Sequence, residues 1–201
     1  TLLLQRELER RGRAEEQALA ANRDLARLAN TDGLTGLPNR RHFDEAFARA
    51  REWSQQTATP FCLVLLDADR FKRYNDTYGH LAGDEVLRAV ARVLQRQVRS
   101  PLEVACRIGG EEFAVLLPGA SGPEAVARAE RIRHAVARLR IPHTGNESGI
   151  VTMSLGVAEA VAGETGGECF SAADAALYEA KRQGRNRVVA HPGGTTATQV
   201  A

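Results

Sequence analysis

The 201-residue chain lacks the features that mark membrane, secreted and nucleic-acid-binding proteins. No apolar run approaches the ~18 residues that a membrane-spanning helix needs. The charged N-terminus does not have the pattern of a signal peptide. The 27 basic and 25 acidic residues nearly cancel and are mixed along the chain, which argues against nucleic acid as a partner. An apolar fraction of 43% suits a globular chain long enough to bury a core.

Cysteine is scarce, and its three positions are isolated. Cys62, Cys106 and Cys169 form no CxxC pair, and none has a histidine at the spacing of a zinc site. We therefore expect buried, reduced thiols in a cytoplasmic protein.

Lysine is nearly absent. Of the 27 basic residues only Lys72 and Lys181 are lysine, and the rest are arginine. A compact ammonium on a flexible stem is one of the groups that bind phosphate, so these two positions are candidate phosphate ligands. Chance is the alternative, and composition alone leaves both open.

Residues 1–29 have the composition of one helix, with many Leu, Ala, Glu, Arg and Gln and no proline. A heptad seam can be drawn along it, although two charged residues interrupt the seam: Leu4, Leu8, Arg11, Glu15, Ala18, Asn22, Leu25 and Ala29. We predict a weak parallel coiled-coil linker; the alternative is a lone helix that packs on its own domain. Because the chain begins at Thr1, we also expect an upstream sensor domain, which could anchor the full-length protein in a membrane.

Residues 30–191 alternate between helical and strand-like patterns, which predicts an α/β domain. Helices are predicted from the Asn39 cap to about residue 54, over 82–98 and 122–140, and from a Ser171 cap to 183. Strands are predicted over 61–69, 149–160 and 187–190, with a hairpin over 103–118. The paired glycines Gly109 and Gly110 are expected to supply positive φ angles to the hairpin turn. Residues 192–201 show no apolar pattern and are expected to be disordered.

Acidic residues stand at the ends of the two most apolar strands. Asp67 and Asp69 end the first strand, and Glu111 and Glu112 follow the Gly-Gly turn. If the first strand lies beside the hairpin, Asp67 and one glutamate converge. Two carboxylates and a backbone carbonyl suit Mg²⁺, which takes its other ligands from water and phosphate. The alternative is a pair of solvated acids beside an ordinary turn.

Five segments in this order resemble one family. They are DGLTGLPNRR (32–41), DADRFKRYNDTYGHLAGDEVL (67–87), RIGGEEF (107–113), SLGVA (154–158) and YEAKRQGRNRV (178–188). Together they resemble the GGDEF domain of diguanylate cyclases, with the GGEEF variant of its signature. The resemblance covers about residues 30–191. It implies the palm-like α/β fold of class III nucleotide cyclases: a central mixed sheet with an antiparallel β-hairpin, flanked by helices and preceded by an N-terminal signalling helix.

The resemblance also implies roles for single residues. Asp67, the Ala68 carbonyl and Glu111 would bind Mg²⁺ or Mn²⁺, two ions per GTP half-site. Glu111 would help to deprotonate the ribose 3′-hydroxyl, and Glu112 is a neighbouring catalytic position without an assigned step. Other positions would bind the substrate: Asn75 and Asp84 at guanine, Lys72, Lys181 and Arg185 at the triphosphate, and Phe71, Gly109 and Gly110 beside the nucleotide.

Structural alternatives accompany these roles. Asn75 could be a turn residue and Asp84 a helix N-cap. Lys181 and Arg185, four residues apart, could be a solvated helix end. The Phe71 ring is expected in the core.

One motif departs from the family pattern. Many GGDEF proteins carry an RxxD motif that binds the product and inhibits the enzyme, and the aligned positions here are Ser100 and Glu103. Serine cannot replace a bidentate guanidinium, so we expect this allosteric product site to be absent.

The function implied is condensation of two GTP molecules into the second messenger cyclic di-GMP, with release of two pyrophosphates. Each protomer of a homodimer would hold one GTP. The first alternative is an inactive GGDEF module that binds GTP or a partner as a regulator. Others are an enzyme of altered base specificity, against which Asp84 argues, and a mononucleotide cyclase. The chain has no GxxxxGK[ST] segment, which excludes a P-loop NTPase.

Overall fold

A computed structural model describes residues 29–160 and 166–192, together with positions 11, 13, 15 and 17. Those four positions, and residues 29 and 30, are helical. The remainder of the predicted coiled coil, and the tail beyond residue 192, lie outside the described residues. No helix within the described part is long and apolar enough to cross a membrane.

The described residues form one mixed sheet with helices on both faces. The helices are α1 (Arg40–Thr57), α2 (Phe71–Tyr78), α3 (His80–Gln95), α4 (Gly122–Ala137) and α5 (Gly166–Arg182). The strands are β1 (Phe61–Ala68), β2 (Val104–Arg107), β3 (Glu112–Pro118), β4 (Met153–Ala160) and β5 (Val188–Ala190). Their spatial order is β2-β3-β1-β4-β5. Strand β1 is antiparallel to β3 and β4, and only β4 and β5 pair in parallel. The predicted mixed sheet and hairpin are confirmed, with the hairpin on one side of β1.

Strand β1 is the centre of the core, and all eight of its residues are buried. Successive side chains point to opposite faces of a sheet. Cys62, Val64 and Leu66 accordingly pack under α3 and α4, whereas Phe61 and Leu63 pack under α1 and α5. A strand covered on both faces must be apolar throughout, which explains its continuous apolar run.

The cysteines lie in the same interior. Cys62, Cys106 and Cys169 are buried, and none of them forms a disulfide. The prediction of buried, reduced thiols is confirmed.

The segment 70–80 forms a helix that the sequence did not predict. Helix α2 buries Phe71 and Tyr74 in the core while its other faces remain polar. Gly79, with φ 84°, ends α2 and starts α3, because a positive φ is easily adopted only by glycine.

The start of α5 was also predicted wrongly. The helix begins at Gly166, so Ser171 lies inside it and is not its cap. By contrast, the predicted cap of α1 is confirmed, because the Asn39 side chain accepts a hydrogen bond from the His42 N–H.

Candidate functional site

The acids at the strand ends meet as the sequence predicted. Strands β1 and β3 are paired so that Asp67 lies opposite Glu112. The Ala68 N–H donates to the Glu111 carbonyl oxygen at 3.3 Å, which extends the ladder by one step. Antiparallel pairing thus brings the end of β1 to the hairpin turn, and the charges of Glu111 and Glu112 act on the Asp67 carboxyl.

The Asp67 carboxyl is nearly buried and ion-paired. Its Oδ2 lies 2.7 Å from Lys181 Nζ, and its side chain is 10% exposed. Burial raises the pKa of Asp67 to about 6; the Lys181 ammonium opposes this rise, and Glu111 and Glu112 add to it. The ion pair therefore compensates only part of the desolvation cost of this carboxylate.

The hairpin turn is held by an arginine and not by the backbone preference of its glycines. Neither Gly109 nor Gly110 has a positive φ, so the predicted reason for the paired glycines is wrong. The Arg107 guanidinium donates to the carbonyls of Gly109 (3.2 Å) and Gly110 (2.7 Å) and to Asp32 Oδ1 (3.1 Å). A Cβ on Gly109 would lie 2.6 Å from Glu112 Oε2, the end of an exposed, flexible side chain that can move aside.

The role of Asp32 and Arg107 was missed, although both stand in the quoted motifs. Asp32 also accepts hydrogen bonds from the Thr35 N–H (2.8 Å) and Thr35 Oγ1 (2.6 Å). These bonds and the Arg107 guanidinium lower the pKa of Asp32, although burial opposes them with the largest single effect. The segment that precedes α1 is thereby tied to the turn of the hairpin.

A second group of predicted residues lies where α2 and α3 contact each other. Asn75 Oδ1 is a buried oxygen without a hydrogen-bond partner; Ser54 Oγ is the other such side-chain atom among the described residues. A Cβ on Gly83 would lie 1.9 Å from Asn75 Oδ1, so only glycine fits beneath this amide. Asp84 is the next residue and is half-buried. Asn75 lies inside α2 and Asp84 inside α3, so neither is a turn residue or an N-cap.

The remaining cationic positions differ in exposure. Lys72 is exposed in the first turn of α2. Arg185 has φ 65° and lines a cavity of about 270 Å³, into which Arg70 and Arg187 also face. The Phe71 side chain is 8% exposed and belongs to the core, as expected for its ring, so only its main chain can meet a ligand.

Asp69 does not share the environment of Asp67. It is 2% exposed and accepts hydrogen bonds from Thr152 Oγ1 (2.7 Å), Ser154 Oγ (2.6 Å) and the Asn186 N–H (3.1 Å). The two acids that end β1 therefore face different groups, and Asp69 is not a second acid of a metal site.

The donor set at the end of β1 suits a hard divalent cation with open positions. In the part of the chain that the structure describes, no three Asp, Glu, His or Cys side chains gather as a metal site. Asp67 and Glu111, with the Ala68 carbonyl, offer two carboxylates and one neutral oxygen. Mg²⁺ commonly keeps waters and takes phosphate oxygens beside one or two carboxylates, so the set fits that ion.

The positions aligned with the inhibitory motif hold a different interaction. The Glu103 carboxylate pairs with Arg128 at 3.0 Å and accepts a hydrogen bond from the Arg99 backbone N–H at 2.6 Å. Both charged side chains are nearly buried. Ser100 caps the following turn through Leu102 N, at 3.2 Å.

Comparisons with known proteins agree on one family. Residues 29–187 match the family model described as "Diguanylate cyclase, GGDEF domain". The chain is 40% identical over 179 residues to diguanylate cyclase VdcA of Vibrio cholerae, and 43% identical over 168 residues to diguanylate cyclase DgcM of Escherichia coli. The alignments cover 88% and 83% of this chain but only 50% and 39% of those proteins.

A solved structure extends the similarity to the N-terminal region. The coiled coil and GGDEF domain of DgcB from Caulobacter crescentus, in complex with c-di-GMP, has a TM-score of 0.84 and 39% identity. The match covers 93% of this chain and 98% of that one.

Proposed function

Because the chain belongs to the GGDEF domain family of diguanylate cyclases, we propose that it condenses two GTP molecules into cyclic di-GMP. Each ribose 3′-oxygen attacks the α-phosphorus of the other GTP, and the bond from that phosphorus to the pyrophosphate oxygen breaks. The two 3′-hydroxyl protons leave and two pyrophosphates are released. The observation that carries the proposal is the meeting of Asp67, Lys181 and the GGEEF turn at one end of the sheet.

Asn75 and Asp84 are proposed to recognise guanine. The unpartnered Asn75 oxygen is a buried acceptor, which is costly unless a ligand supplies a donor. Asp84 as a carboxylate accepts from the N1–H and 2-amino group of guanine, which adenine does not offer. A site built on such hydrogen bonds discriminates strongly, because the wrong base leaves buried groups unpaired.

Diguanylate cyclases of this family are in general metal-dependent. In this chain, the groups proposed to hold Mg²⁺ or Mn²⁺, two ions per half-site, are Asp67, Glu111 and the Ala68 carbonyl. When bound, the metal supplies charge neutralisation at the phosphates. Lys181, Arg185 and Lys72 are proposed to bind the triphosphate. Glu111 is proposed to accept the 3′-hydroxyl proton, with Glu112 beside it. Gly109 and Gly110 leave space for the nucleotide at the turn.

The reaction needs two domains, because one half-site holds one GTP. A homodimer joined through the predicted helix of residues 1–29 is proposed to raise the effective concentration of the second domain. The DgcB structure, which contains a coiled coil and a GGDEF domain, supports this. Replacing Leu4, Leu8 and Leu25 by serine should lower activity most at low protein concentration. The control is Leu3→Ser, because Leu3 lies off the seam. If the triple variant and the control keep equal activity on dilution, the coiled-coil linker is contradicted.

The proposal is tested by incubating the 201-residue chain with GTP and Mg²⁺ and identifying products by mass spectrometry. We expect cyclic di-GMP and pyrophosphate, and no dinucleotide from a Glu111→Gln variant that still binds GTP. The wild-type chain could instead bind GTP and form no product at high protein concentration, even when it is fused to a strong dimeric zipper. That result would identify the chain as the inactive regulatory module. An adenine-containing product contradicts the roles of Asn75 and Asp84.

A further inference from the structure

Three donors converge on the buried carboxyl of Asp69, and they come from two separate parts of the chain. Thr152 immediately precedes β4, Ser154 lies at its start, and Asn186 follows α5. Oδ2 accepts from both Thr152 Oγ1 and the Asn186 N–H, whereas Oδ1 accepts from Ser154 Oγ. The Asp69 N–H in turn donates to the Thr152 carbonyl at 3.0 Å. Asp69 thus joins β1, β4 and the turn after α5 at one buried point.

The turn after α5 adopts a backbone that needs such support. Arg185 and Asn186 have φ angles of 65° and 45°, in the left-handed region that costs a non-glycine residue about 1 kcal/mol or more. Arg133 Nη1 of α4 also donates to Asn186 Oδ1 (2.9 Å) and to its carbonyl (3.3 Å). Asn186 is therefore fixed at its N–H, its side chain and its carbonyl.

This turn places Arg185 in the wall of a cavity that two other arginines also line. The cavity of about 270 Å³ is lined by Arg70, Arg185 and Arg187 and by Glu147, whose carboxylate pairs with Arg70 at 3.3 Å. Thr152 and Asn186 form part of its wall. The Asp69 contacts therefore lie directly behind the surface that the arginines present. Asp69 stands two residues after Asp67, so one strand end carries both the proposed metal ligand and the anchor of the turn.

We propose that Asp69 is a positioning residue for the triphosphate: by holding the Asn186 N–H it fixes the turn that presents Arg185 to the phosphates. This rests on the proposed function for the identity of the ligand. Asp69 itself touches no substrate. Its removal should weaken the contribution of the phosphates to binding and leave guanine recognition unchanged.

The test compares two nucleotides. Affinities for GMP and for the unreactive α,β-methylene analogue of GTP are measured with Mg²⁺, and their ratio is the gain from the added phosphates. We expect Asp69→Ala to lower this gain about tenfold, the size of one lost charge-assisted hydrogen bond, with little change for GMP. Asp69→Asn, whose amide oxygen still accepts from the Asn186 N–H, should retain most of the gain.

A double-mutant cycle separates positioning from general destabilisation. In an Arg185→Ala background, Asp69→Ala should lower the gain no further. If the two losses multiply, or if the binding of GMP and of the analogue weakens equally, the proposal is overturned.

Thr152→Val and Ser154→Ala form a matched pair. Thr152→Val removes a donor to the Asp69 oxygen that holds Asn186 and should lower the gain about threefold. The second should not change it. This pair also decides the question if Asp69→Ala does not fold.

Hydrogen exchange in the absence of nucleotide gives a readout that is independent of the enzyme's activity. Asp69→Asn should leave the Asn186 amide protected, whereas Asp69→Ala and Thr152→Val should expose it. Unchanged protection in both weakened variants overturns the proposal. A wild-type chain that binds the analogue no better than GMP contradicts the proposed function, and the exchange result still decides whether Asp69 holds the turn.

Discussion

The Lys181 ammonium lies 2.7 Å from Oδ2 of Asp67 and joins the last turn of α5 to the end of β1. Even with this partner, the pKa of Asp67 is raised to about 6 by burial. The carboxylate is thus held in a place where its negative charge is only partly compensated. A divalent cation beside Asp67 would compensate the rest of this negative charge. The desolvation cost of Asp67 in the metal-free protein therefore favours metal binding.

The first prediction concerns stability and pH in the metal-free protein. Between the ordinary value of 3.8 and about 6, the native state binds more protons at Asp67 than the unfolded state does. The stability contribution of this group is therefore present below pH 3.8 and is lost as the pH rises through about 6, by up to about 3 kcal/mol. Urea unfolding of wild type and Asp67→Asn in EDTA measures it. The stability of wild type relative to the variant should fall over this window, and a flat or rising difference contradicts the assignment.

The second prediction concerns Gly83. An alanine Cβ at this position would lie 1.9 Å from Asn75 Oδ1 and would displace the Asn75 amide. We expect Gly83→Ala to lower kcat/KM for GTP about tenfold, mainly through KM, because one buried hydrogen bond to the base is lost. Steady-state kinetics measure it. Gly33→Ala is the control, since no atom lies within 4 Å of its added Cβ. An unchanged KM in Gly83→Ala would show that Asn75 does not need this space.

The third prediction concerns the turn of the hairpin. Arg107→Lys keeps the charge but cannot contact Gly109, Gly110 and Asp32 together. We expect a loss of about 0.5–1.5 kcal/mol in the free energy of unfolding, because partly exposed acceptors lose their donors. We also expect a lower kcat, since the turn carries Glu111. Arg88→Lys, in an exposed pair with Glu85, should change stability by less than about 0.5 kcal/mol. Equal effects of the two variants contradict the role of Arg107.

The fourth prediction concerns product inhibition. Ser100 stands where the family resemblance implies the arginine of an RxxD motif, and Glu103 is already paired with Arg128. We expect the wild-type enzyme to continue at product concentrations that inhibit Ser100→Arg, with inhibition at least about tenfold tighter in the variant. Ser100→Lys, which lacks the bidentate fork, should respond less. Initial rates at increasing cyclic di-GMP measure this. Tight inhibition of the wild type through Arg99 and Glu103 would contradict the expectation.

Much of the site could be predicted because local sequence patterns determine which residues stand at the ends of its strands. The apolar run of β1 and the acid that ends it place Asp67 at a strand end, and the flanking hairpin pattern indicates what lies beside it. The capping position of Asn39 and the mixed sheet follow in the same way. Helix α2 was not predicted because only Phe71 and Tyr74 form its buried face, and its other residues are mostly polar. The start of α5 was misplaced because Ser171 has the local chemistry of a cap but lies inside the helix.

The sequence by itself determined the family, the strand that forms the centre of the core, and the residue types at the proposed site. Only the tertiary structure decided what each of those residues does. Asp67 and Asp69 are alike in sequence, yet one faces Lys181 and the GGEEF turn while the other is enclosed by Thr152, Ser154 and Asn186. Arg107, not the backbone of the glycines, holds the turn. The physical reason is that hydrogen-bond partners far apart in the chain meet only after strands and helices pack, and burial then decides which charges are compensated.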